Sequence, residues 1–101
     1  SASLFKDVDL LILPTTLTTT PAIAQAAAQG PFALDDANTS PFNYFGLPAI
    51  SIPCGFDHRG MPLGLQIAGP RYGERAVLSA AYQFQQATPW HLKSPSLSFL
   101  R

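Results

Sequence analysis

Cys54 and His58 stand four residues apart in a Gly- and Pro-punctuated stretch, which invites a thiol nucleophile with an imidazole base. That chemistry needs the two side chains within hydrogen-bond reach and a third group to orient the base. A reactive thiol also needs a specific electropositive setting. The default for this pair is a small apolar thiol at a strand end and a solvated histidine near a loop tip. Asp35 and Asp36 are the second candidate, as acid–base groups or as anchors for a polar substrate. Two carboxylates do acid–base work only where their environments separate their pKa values, and adjacent loop residues usually point apart. His91 follows Trp90 and reads as edge packing. One cysteine and two histidines give no metal-ligand spacing, and no phosphate-binding Gly loop is present. Asn38-Thr39-Ser40 matches a glycosylation sequon, but no secretion signal accompanies it and Pro41 follows, so it is taken as chance.

The elements that must hold these residues are organised around 43–69. Ala49–Pro53 and Leu63–Ala68 are apolar runs with a period of two, bounded by Gly and Pro. Ile50 and Ile52 share one face of the first run, and Leu63, Leu65 and Ile67 share one face of the second. Gly60 stands where the connecting turn needs positive φ. Two antiparallel neighbouring strands follow, with Cys54 and His58 in the loop between them. Upstream, Val8–Leu13 is nearly continuous in apolar residues and ends at Pro14, which reads as a strand buried on both faces. Thr20-Pro21 is a helix start for 23–29, closed by Gly30. Thr39 or Ser40 can cap a second short helix through Phe45, closed by Gly46. Glu74 opens the longest helix, near the positive end of its dipole. Val77, Ala81, Phe84 and Thr88 form its apolar stripe, widened by Leu78 and Tyr82, and Thr88-Pro89 ends it. Residues 90–101 read as an extended tail.

Totals bound the class. The chain has 101 residues, enough for one domain, and a net charge of zero. Charged residues make up 12%, against roughly 25% in a typical soluble domain. A small domain has much surface per volume, so the shortage points to a surface covered by more of the same polypeptide or by a partner. An isolated segment of this kind is expected to self-associate or dissolve poorly, and a homo-oligomeric parent is compatible with it. There is no basic cluster for nucleic acid, no run long enough to span a membrane, and no pair of cysteines for a disulfide. A soluble, cytoplasmic protein is the expectation.

Taken in order, the motifs resemble the carboxy-terminal part of an amidase signature family enzyme. Asp9–Thr15 (DLLILPT) resembles that family's D-x-L-x-x-P-T. Thr39–Pro53 (TSPFNYFGLPAISIP) resembles T-x-x-x-N-x-x-G-x-P-A-x-S-x-P. Cys54-Gly55 and the stretch Gly60–Gly69 resemble P-C-G and G-x-P-x-G-L-Q-x-x-G. The resemblance covers nearly the whole chain. It implies an α/β fragment, residues 1–101 as a single incomplete segment: part of a mixed β-sheet flanked by helices, with one long C-terminal helix.

It further implies hydrolysis of a carboxamide through an acyl-enzyme on serine, using two serines and a lysine in a Gly- and Ser-rich signature. No such stretch occurs here. Lys6 and Lys93 lack the matching context and Ser51 is mid-strand, so no catalytic residue is assigned and no cofactor is implied. The segment is expected to supply sheet and pocket wall, with the remainder of the amidase chain as its partner and a small amide as substrate. Two residues are carried over as substrate-binding. Thr15 matches a loop near the substrate funnel. Asp36 stands seven before Asn43, where glutamine-using members, among them the A subunits of amidotransferases, have an acid near the substrate's amino group. Two alternatives accompany this reading: the glutaminase component of a tRNA-dependent amidotransferase, and a non-catalytic binding or scaffold module.

Overall fold

The computed structural model describes residues 2–30 and 36–98. Three strands, β1 (Leu11–Pro14), β2 (Ala49–Phe56) and β3 (Pro62–Ala68), form an antiparallel sheet in the order β1-β3-β2. Three α-helices accompany it: α1 (Ile23–Gln29), α2 (Ser40–Phe45) and α3 (Glu74–Ala87). β2 and β3 are the expected hairpin. Asp57 and Met61 close its turn, with the Asp57 N–H donating to the Met61 carbonyl at 2.8 Å. Gly60 has φ 80°, which a side chain would resist.

The register sorts the sheet into two faces, because directly paired residues share one. Ile50 pairs with Ile67 and Ile52 with Leu65. That face meets α3: Ile52, Ile67, Val77 and Ala81 form the buried core, with Leu10, Ile50, Leu65, Ala80 and Phe84 packed against it. Burying an aliphatic side chain fully is worth about 1.5–3 kcal/mol, so Ile67, at 2% exposure, is a principal tie between sheet and helix. The opposite face carries Ser51, Gln66 and Leu13 in register across the three strands.

Five expectations are corrected. β1 is four residues long and alternates half-buried with exposed positions, rather than being buried on both faces. Among the described residues it pairs on one side only, and α3 lies over β2 and β3, so Ile12 is left 64% exposed. α1 begins at Ile23 behind an extended Ala22 without a side-chain cap; the Thr20 carbonyl instead accepts a hydrogen bond from Arg59. Leu78 and Tyr82 face solvent, because three strands are too narrow to wrap the flank of α3. Cys54 lies inside β2, where the register slips between Pro53 and Gly55, and not in the loop. In the tail, a 3₁₀ turn at Trp90–Leu92 sets Trp90 edge-on to Phe56, with centroids 6.1 Å apart.

The described part is a slab of 49 × 34 × 22 Å with a radius of gyration of 15.8 Å. A self-contained domain of this length has a radius near about 13 Å.

Candidate functional site

The polar face of the sheet meets the turn before α2 at the end of β1. The Thr15 N–H donates to the Gly64 carbonyl at 3.0 Å, extending the β1–β3 ladder by one rung. That fixes the Thr15 hydroxyl 2.6 Å from the hydroxyl of Ser51 on β2. The two oxygens meet across the central strand only because Gly64 lies beneath them. A Cβ there would stand 2.9 Å from Thr15 Oγ1 and 3.0 Å from Ser51 Oγ.

Asn38 ties the neighbouring turn to this corner. Its Nδ2 donates to the Pro14 carbonyl at 2.9 Å, and its own backbone carbonyl accepts from Gln66 Nε2 at 2.7 Å. Gln66 is buried, so this bond meets the requirement that a buried amide be paired. Asp36 begins the same turn. Its carbonyl accepts from the Thr39 and Ser40 amides at 3.0 and 2.9 Å and from the Thr39 hydroxyl at 3.2 Å, which leads the chain into α2. Gly46 closes that helix in the left-handed conformation. Asp36 is exposed. Of the two carried-over residues, Thr15 thus stands on the ladder end, and Asp36 sits two residues from the amide bonded beside it. Asp35 lies outside the described residues. The Asn38 side chain is a structural tie.

Beside this corner is an apolar cavity of about 450 Å³, walled by Ile12, Leu17, Cys54, Leu63 and Leu65 together with the threonines of 16–20. Neither Thr15 nor Asp36 lines it. Cys54 and His58 are not brought into a catalytic pair: the thiol donates to the Leu63 carbonyl at 3.6 Å, and His58 is exposed at the hairpin tip. His91 is exposed in the 3₁₀ turn. Among the described residues no cluster of three or more His, Cys, Asp or Glu could hold a metal ion. Likewise, no helix there is long and apolar enough to cross a membrane.

Sequence reasoning missed three contributors: Asn38, Gln66 and Arg59. The first two are joined across 28 positions, a distance that no local pattern reports. Arg59 Nη2 reaches from the hairpin to Thr19 Oγ1 at 2.9 Å and the Thr20 carbonyl at 3.0 Å. Its partner Asp57 has a carboxyl lowered to about 2. The leading cause is the Met61 amide donating to it, joined by hydrogen bonds from Thr19 and the Arg59 amide and by the Arg59 charge; desolvation opposes them.

Similar sequences occur in known proteins. The model of the amidase family matches residues 1–78. Similar curated proteins include the A subunit of glutamyl-tRNA(Gln) amidotransferase from Synechococcus elongatus, 47% identical over 92% of this chain. Its counterparts from Trichormus variabilis and Halothermothrix orenii are 44% and 45% identical over 93% and 92% of it. In each case the match covers 20% of the relative, so the chain spans about a fifth of the length of the curated relatives it matches. The family match runs through β1, the Asn38 turn, the hairpin and the start of α3, the elements that build the polar corner, and the chain belongs to the amidase family.

Proposed function

We propose that this chain is the C-terminal, wall-forming part of a serine-dependent amidase. It supplies strands and one side of the substrate pocket, while the serine nucleophile and lysine base lie elsewhere in the parent. Asp36 accepts a charge-assisted hydrogen bond from an ammonium group of the amide substrate, and the Thr15–Ser51 hydroxyl pair lines the approach. The observation that carries the reading is the Asn38 tie. It holds the turn bearing Asp36 against the strand end bearing Thr15, so both reach one edge of the sheet. Low charge, the thin slab and exposed residues such as Ile12, Ile23 and Leu78 support a surface that more of the parent covers.

The test is steady-state kinetics on the complete protein. Asp36→Ala should raise KM for an amide that carries an ammonium group by roughly tenfold, the equivalent of about 1.4 kcal/mol. The same substitution should leave KM unchanged for an uncharged amide. Equal effects on both substrates, or none on either, would refute the role. The isolated segment should turn over no amide at all; activity in it would overturn the wall reading.

A second reading is favoured by the names of the relatives. In it the parent is the glutaminase component of a tRNA-dependent amidotransferase, and the ammonium recognised by Asp36 is that of glutamine. Selective loss of glutamine turnover in Asp36→Ala, with simple amides unaffected, would support it.

A further inference from the structure

We infer that Arg59 is a positioning residue: from the β2–β3 hairpin it pins the far end of the Thr15–Thr20 loop, and so sets both the Thr15 corner and the wall of the apolar cavity. The loop leaves the sheet at Thr15, where the ladder bond to Gly64 fixes its near end. Among the described residues its middle is held locally, by the Thr16 hydroxyl donating to the Thr18 carbonyl at 2.6 Å, and Thr16, Leu17 and Thr18 are exposed. The next attachment is the pair of bonds that Arg59 Nη2 makes to Thr19 and Thr20. The first of these spans 40 positions of the chain.

A latch of this kind works only if its base is rigid, and here it is. Asp57 Oδ1 accepts from the Arg59 and Met61 amides at 2.8 and 2.9 Å. Asp57 Oδ2 lies 3.4 Å from the guanidinium. The Gly60 N–H donates to the Asp57 carbonyl at 3.0 Å. The side chain serving the loop is therefore held at both its backbone and its charged end. All three contacts fall on one nitrogen, Nη2, whose two N–H groups serve the Thr19 hydroxyl and the Thr20 carbonyl while the Asp57 carboxylate lies 3.4 Å away and holds it by charge. A lysine ammonium keeps the charge and enough donors but not the reach and fixed direction of Nη2. Threonines 16–20 wall the cavity, so release of their far end would alter its shape as well as the bearing of Thr15.

The kinetic consequence rests on the proposed amidase reading, in which Thr15 borders the substrate; the mechanical one does not. Both are tested in the complete protein with Arg59→Met and Arg59→Lys. Amide hydrogen exchange at Thr15, whose N–H is bonded to the Gly64 carbonyl where the loop leaves the sheet, should speed up tenfold or more in Arg59→Met, while β2 and β3 keep their protection. Arg59→Lys should recover part of the loss. In the same samples KM should rise about three- to tenfold with kcat within twofold, because the loop orients substrate and does not reach the reacting atoms. Unchanged exchange overturns the latch. Faster exchange with an unchanged KM, or a fall in kcat alone, overturns its link to the pocket. A wild-type parent that turns over no amide defeats the amidase reading, and the exchange result still decides the latch. Should Arg59→Met fail to fold, Thr19→Val removes the Thr19 contacts with Arg59 and Asp57, leaves the Arg59 bond to the Thr20 carbonyl, and carries the same exchange measurement.

Discussion

Replacing Gly64 by alanine tests the geometry of the polar corner at a single methyl group. The new Cβ would sit 2.9 Å from Thr15 Oγ1, 3.0 Å from Ser51 Oγ and 3.2 Å from Thr15 Cβ. Ser51 has room to rotate away. Thr15 does not have the same freedom, because it is β-branched and therefore stiff at χ1, and because its amide is bound to the carbonyl of Gly64 itself. Overpacking of this kind costs about 1–3 kcal/mol. Loss of the hydroxyl pair adds about 0.5–1.5 kcal/mol. Against these, alanine in a strand interior is better than glycine by about 0.5–1 kcal/mol. The net expectation is a loss of about 1–3 kcal/mol, read from denaturant unfolding of the complete protein. The cause is separable from a general intolerance of substitution. In a Thr15→Ala background the nearest conflicting atom is gone, and the penalty for Gly64→Ala should fall by half or more. A Gly64→Ala protein as stable as the parent, or an undiminished penalty in the Thr15→Ala background, would refute the reasoning.

Gly69→Ala should be destabilising by a similar margin, about 1–3 kcal/mol, since its Cβ would meet Val77 Cγ2 at 2.8 Å where α3 packs on the sheet. Val77→Ala should relieve part of that penalty in the double mutant, measured in the same unfolding assay. The pH response of the hairpin has a definite sign. The carboxyl of Asp57 is lowered from 3.8 to about 2, so its contribution is fully present above about pH 4 and is lost as pH falls toward about 2. An NMR titration of the Asp57 carboxyl should therefore find its midpoint near about 2, and a midpoint near about 4 would mean that the turn amides do not hold it.

The hairpin and α3 were legible because each repeats a short period. Ile50 and Ile52 alternate with Ser51, and Val77, Ala81 and Phe84 follow a helical spacing; burial then only had to choose a side. Gly46 and Gly60 were legible because a positive φ leaves few residue types to choose from. β1 misled because an apolar run says that a strand prefers cover, not that these residues provide it. Leu78 and Tyr82 misled for the same reason: their apolar character records a preference that the three-stranded sheet is too narrow to meet. The start of α1 was obscured by Arg59, which takes the carbonyl of Thr20 from a distant turn. At the candidate site the motif match supplied Thr15 and Asp36, whereas the ties that hold them, from Asn38 to Pro14 and from Gln66 to Asn38, cross strands and have no local signature.

The strand order has a consequence for how the chain assembles. β3 is synthesised last of the three strands yet sits in the middle, so within the described sheet β1 joins its partner only after β3 emerges and folds back on β2. The hairpin is the local, fast event, while the docking of Leu11 opposite Ala68 closes a long loop and comes later. Slowing the hairpin would therefore postpone the joining of β1 to β3. The docking step, which closes the longer loop, is the one expected to set the pace of assembly within this segment.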